Sequence, residues 1–68
     1  MYSVKAAFTE YMAAEVERRH DLNGDAATLL GGKILKEFLD GEKIKFGDER
    51  YDWSPSGAAD LVRSYDYV

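Results

Sequence analysis

The 68-residue chain predicts a small α+β fold in the order α-α-β-β-α. Three observations predict it. Apolar residues recur at helical spacing in two N-terminal stretches, Val4 to Met12 and Ala27 to Leu39. Between Glu42 and Trp53 they instead alternate on either side of Asp48-Glu49, as in a β-hairpin. Ser54-Pro55 then marks a fresh helix start, with Ala58, Leu61, Val62 and Tyr65 following at i, i+3, i+4 and i+7.

The first helix is expected from Ser3 to about His20. Ser3 can accept from a backbone amide of the first turn. Val4, Ala7, Phe8, Tyr11 and Met12 form its apolar stripe, and Ala6, Ala7, Ala13 and Ala14 are strong helix formers. Glu15 can pair with Arg18 and Arg19 three and four residues on. Asn23-Gly24 is a stop signal.

The second helix is expected over Asp25–Leu39, with Asp25 as its cap. Ala27, Leu30, Gly31, Ile34, Leu35, Phe38 and Leu39 gather on one side and Lys33, Lys36 and Glu37 on the other. Gly31 lies in the apolar face, where a missing side chain lets the first helix approach closely. The alternative is a break at Gly31-Gly32, since each glycine weakens a helix by about 1 kcal/mol relative to alanine.

A hairpin with Asp48-Glu49 at its turn sets Phe46 opposite Tyr51, Lys45 opposite Asp52 and Ile44 opposite Trp53. One register thus gives two apolar pairs on one face and an ion pair on the other. Ser54 as cap and Pro55 at the first helical position start the last helix, which ends near Arg63 or Ser64. The closing Tyr65-Asp66-Tyr67-Val68 alternates, and reads as an extended tail, a short third strand or a frayed helix end.

Size bounds the organisation. One domain, residues 1–68, accounts for the whole chain, because a second core would not fit. Without cysteine there is no disulfide framework and no thiolate metal site. Ordering each residue costs roughly 1.5 kcal/mol, so nearly every large apolar residue must enter one core. Nine aromatics (one tryptophan, five tyrosines, three phenylalanines) help to fill it. A homodimer or a larger partner would relieve the remaining shortfall.

Thirteen acidic residues against nine basic ones give a net charge of −4. That balance disfavours direct nucleic-acid binding, whose affinity comes mostly from cations that displace condensed counterions. It favours a basic partner surface. No apolar run is long enough to span a membrane and no secretory leader pattern opens the chain, so a cytoplasmic protein is expected.

No motif nominates an enzyme. Gly31-Gly32-Lys33 lacks the earlier glycine and the following Ser or Thr of a phosphate loop, since Ala27 and Ile34 stand there. His20, the single histidine, falls at a helix end beside Arg18, Arg19 and Asp21, where it suits the helix dipole better than catalysis. Asp40, Glu42 and Asp48 do not match a calcium loop. No cofactor and no metal is expected.

What remains is an external patch. The acidic turn Asp48, Glu49 and Asp52, with the aromatics Trp53, Tyr65 and Tyr67, forms the candidate partner-binding set. The expected function is a small, acidic, non-enzymatic regulator or inhibitor. It would act by occupying a basic surface of a larger protein or protein–nucleic-acid complex. In size and charge, though in no motif, the chain is similar to phage inhibitors of host defence such as anti-CRISPR proteins. The alternative is a reduced winged-helix module that uses the hairpin as wing, with Lys33, Lys36, Lys43, Lys45 and Arg50 toward nucleic acid.

Overall fold

The first helix begins where its cap was expected. In the computed structural model, which describes residues 3–65, α1 runs over Val4–His20, and the Ser3 hydroxyl oxygen accepts from the Ala6 amide at 3.1 Å. It ends one turn before Gly24, where Asp21 takes the left-handed conformation with φ 54°. Basic residues Arg18, Arg19 and His20 fill its last turn, beside the carbonyl end of the dipole. Glu15 pairs with Arg18.

The second helix is longer than its sequence pattern. α2 runs unbroken over Gly24–Glu42, through both Gly31 and Gly32. Its cap is Asn23, in extended conformation, rather than Asp25. Lys43, at φ 56°, closes it by donating its amide to the Leu39 carbonyl.

α3 runs over Pro55–Ser64, with Ser54 as cap and Pro55 in the first turn, as the sequence implied. Tyr65 follows as its C-terminal cap, and its amide donates to the Leu61 carbonyl at 3.0 Å. The reading of the tail as a third strand falls mostly on residues 66–68, outside the described residues.

The α+β expectation is corrected. Among the described residues there are three helices and no strand. Of the stretch from Glu42 to Trp53 placed in a hairpin by the alternation, Glu42 ends α2 and the rest lies in an irregular loop over residues 43–54. Its backbone closes two successive tight turns: the Asp48 amide donates to the Lys45 carbonyl and the Tyr51 amide to the Asp48 carbonyl, each at 3.1 Å. Gly47 supplies the positive φ, 83°, that the first turn needs at its third residue. A two-stranded ribbon without a third strand is marginal in water. Tyr51 and Trp53, which alternate in the sequence, close over Phe8 instead of standing in a ladder.

α1 is the central element. Its Phe8, Met12 and Val16 are fully buried and meet Ala27, Ile34, Leu35 and Phe38 of α2 and Ala58, Leu61 and Val62 of α3. Burying each large side chain contributes roughly 1.5–3 kcal/mol. Val4, counted in the stripe by its spacing, is instead 48% exposed. Gly31 is buried against α1: a Cβ there would stand 3.3 Å from the Met12 Cβ and 3.4 Å from the Ala13 nitrogen. The absent side chain sets how closely the two helices approach.

Candidate functional site

The loop between α2 and α3 holds four of the six candidate partner-binding residues, and its order comes from side chains rather than from secondary structure. Asp48 is the hub. Its Oδ1 accepts from the Arg50 amide at 2.9 Å and from Arg50 Nε at 3.0 Å, and its Oδ2 accepts from Arg50 Nη2 at 2.8 Å. A carboxylate that accepts the amide two residues on makes an Asx turn, and the guanidinium adds a two-pronged ion pair to it. These bonds hold the Asp48 carboxyl at a pKa of about 2, below the ordinary 3.8, and raise that of Arg50. The Asp48 carbonyl also accepts from the Trp53 indole Nε1 at 2.7 Å.

Trp53 is half-buried and faces inward. Its ring packs edge-on to Phe8 with centroids 4.9 Å apart, and it meets Tyr51 at 5.4 Å and Phe46 at 5.7 Å. Tyr51 also reaches Phe8 and Phe38, and its hydroxyl donates to the Gly57 carbonyl at 2.7 Å. Of the aromatics singled out in the sequence, Trp53 therefore lies in one cluster with Tyr51, Phe8, Phe38 and Phe46, built over the Phe8 end of the core. Offset and edge-on ring pairs of this kind contribute about 0.5–1.5 kcal/mol each beyond area burial.

Glu49 and Asp52 are the exposed carboxylates of the loop. Asp52 Oδ1 accepts from the Ser54 amide at 3.0 Å, which fixes the entry to α3; hydrogen bonding from the Ser54 side chain, and then from its amide, lowers the Asp52 pKa. Glu49 makes no ion pair among the described residues and projects into solvent. Tyr65 is half-buried at the end of α3 and packs against the core. Tyr67 lies outside the described residues.

The wing required by the winged-helix alternative is not formed among the described residues, and Arg50, one of its five cations, is held by Asp48. His20 is half-buried in the last turn of α1. Among the described residues, no group of three histidine, aspartate or glutamate side chains is placed to hold a metal ion, and no helix is long and apolar enough to cross a membrane.

Sequence reasoning missed a second surface. Beside the α1–α2 seam lies an open groove of about 250 Å³. Leu35, Leu39 and Phe46 give it an apolar floor, and Gly32 leaves one wall low. Lys5 stands at its mouth, with Nζ 5.8 Å from the Phe46 ring centroid, and Lys36 and Asp40 line its α2 side. The signal was available in Gly32. A glycine on an exposed helix face costs about 1 kcal/mol relative to alanine, and unlike Gly31 it has no neighbouring helix that requires it.

No protein-family model, curated protein or solved structure matches this chain.

Proposed function

We propose that this chain is a small acidic regulator or inhibitor, without catalytic activity of its own, that binds a basic surface of a larger protein or protein–nucleic-acid complex through the loop at residues 43–54. The observation that carries the reading is the clamp on that loop. At twelve residues the connection is about twice the median length for compact domains. Here Asp48, Arg50 and Trp53 hold it in one shape, so Glu49 and Asp52 are displayed on a preorganised backbone. Preorganisation lowers the ordering cost of association, which matters for a contact area as small as this molecule can offer. The net charge of −4 adds long-range attraction to a cationic target.

The test is quantitative affinity purification from the native host, comparing the parent chain with a Glu49→Lys, Asp52→Asn double variant. Asparagine at position 52 keeps an oxygen acceptor for the Ser54 amide and removes only the charge. The expected result is a stoichiometric partner held by the parent and lost by the double variant. A partner retained equally by both would remove the loop from the interface, and recovery of none would defeat the binding reading.

A further inference from the structure

We propose that the groove between α1 and α2 is a second docking site, which receives an apolar side chain of a partner protein flanked by carboxylates. It is chemically opposite to the acidic loop, from which it takes Phe46 but none of the carboxylates.

The groove is kept open against the helix's own preference. Gly32 sits in mid-helix, and a Cβ there would meet nothing within 4 Å. Nothing in the fold requires a glycine at that position, whereas Gly31 beside it is fixed by contact with Met12 and Ala13. Half-buried Leu39 and Phe46 line the groove beside Gly32, with buried Leu35 at its base.

Charge names the flanks. Lys5 on α1 and Lys36 on α2 both line the groove, and neither makes an ion pair among the described residues. Arg18, Arg50 and Arg63 are each held by a carboxylate. On a chain of net charge −4, two ammonium groups without ion pairs among the described residues, that of Lys5 over the Phe46 ring, form a local cationic rim beside an apolar floor, with Asp40 as its single carboxylate among the described residues. Acidic residues on either side of the inserted side chain would complement it.

Size names the class. Small-molecule sites usually enclose about 300–1,000 Å³ and cover most of their ligand. This groove is smaller, at about 250 Å³, and open to solvent. It fits one or two large side chains presented by a body that supplies the remaining contact, as in helix-in-groove recognition.

The experiment is an amide-shift titration of the isotopically labelled full chain by NMR. The probe is a six-residue capped peptide, leucine-phenylalanine with two glutamates on each side; the control replaces the glutamates with lysines. Saturable shifts at Thr9, Gly32, Leu35 and Lys36 are expected with the acidic peptide and not with the basic one. Lys5→Glu with Lys36→Glu should weaken the acidic peptide several-fold and reverse the preference. Gly32→Leu should abolish the shifts while the thermal midpoint stays at or above that of the parent, which separates a filled groove from a damaged fold. Glu49→Lys with Asp52→Asn should leave the titration unchanged, so the loop and the groove fail independently. Absence of groove shifts at millimolar peptide, or equal response to both peptides, would overturn the proposal. So would the same shifts appearing with protein concentration alone, which would seat a second copy there, or saturation by decanoate without response to peptide, which would make the occupant a free amphiphile.

Discussion

The Tyr51 hydroxyl donates to the Gly57 carbonyl at 2.7 Å, and the backbone of Gly57 lies against the loop it anchors. A Cβ at Gly57 would fall 1.7 Å from the Asp52 carbonyl oxygen. The clash is with backbone, so it cannot be relieved by turning a side chain. Gly57→Ala should therefore destabilise the fold by about 3 kcal/mol or more, at the upper end of overpacking costs. A urea midpoint equal to that of the parent would show that the loop can lift off α3 freely.

Tyr51 also gives the molecule an alkaline limit. Burial, first, and then the charges of Asp60 and Asp52 disfavour the phenolate, so the folded pKa lies above the ordinary 10.0. The folded state thus holds this proton more tightly than the unfolded chain. The stability it contributes is complete below about pH 10 and declines as pH rises through the raised folded value. Tyr51→Phe should lose about 1 kcal/mol at neutral pH with the hydrogen bond to Gly57, and its thermal midpoint should fall less steeply than the parent's above pH 10. Parallel curves would assign the alkaline loss to other groups.

At acid pH the corresponding group is Asp48. Hydrogen bonds from Arg50 lower its pKa from 3.8 to about 2 in the fold. Its contribution is therefore complete above about pH 4 and is lost as pH falls toward 2. Asp52, lowered by hydrogen bonding from the Ser54 side chain and then its amide, acts in the same direction. Asp48→Asn keeps an oxygen for the Arg50 amide but removes the charge. It should flatten the decline in thermal midpoint across that window and make the remainder less sensitive to salt. The single tryptophan reports the same event locally, because its indole donates to the Asp48 carbonyl. Identical acid profiles for parent and variant would place the titrating group elsewhere.

Much of the fold was legible because helices are written in local signals. Ser3 and Ser54-Pro55 mark their starts, and the apolar stripes at Phe8-Met12, Ile34-Leu35-Phe38 and Ala58-Leu61-Val62 name the buried faces. The hairpin failed for a tertiary reason. Ile44, Phe46, Tyr51 and Trp53 do pack on the core, but Tyr51 and Trp53 close on the ring of Phe8, about forty residues away in sequence, and Phe46 packs on Trp53. An alternating pattern does not reveal whether the opposite wall is a strand or a helix. Gly47 carried the clue, since the turn it makes between Lys45 and Asp48 bends the chain where the first strand must run straight, just before the turn at Asp48. The candidate acidic set was found because loop charges are visible in any sequence. The groove was not, because it joins Lys5 to Lys36 and Phe46 only once α1 and α2 are packed.

The adjacent glycines of α2 offer the sharpest check on that packing, because one substitution at each should act in opposite directions. At Gly32 a methyl group enters open space, so alanine gains the helix preference of about 1 kcal/mol with nothing to offset it. At Gly31 the same methyl meets the Met12 Cβ at 3.3 Å and the α1 backbone at 3.4 Å. These are atoms of the neighbouring helix rather than the far end of a side chain, so α1 must move outward and take Phe8 and Val16 with it. Overpacking of this kind costs about 1–3 kcal/mol, which at its midpoint is about twice the gain in helix preference. Gly32→Ala should raise the denaturant midpoint and Gly31→Ala should lower it, with an unchanged dependence on denaturant in both. Two increases of equal size would mean that the α1–α2 contact is looser than the closeness of Gly31 to Met12 requires.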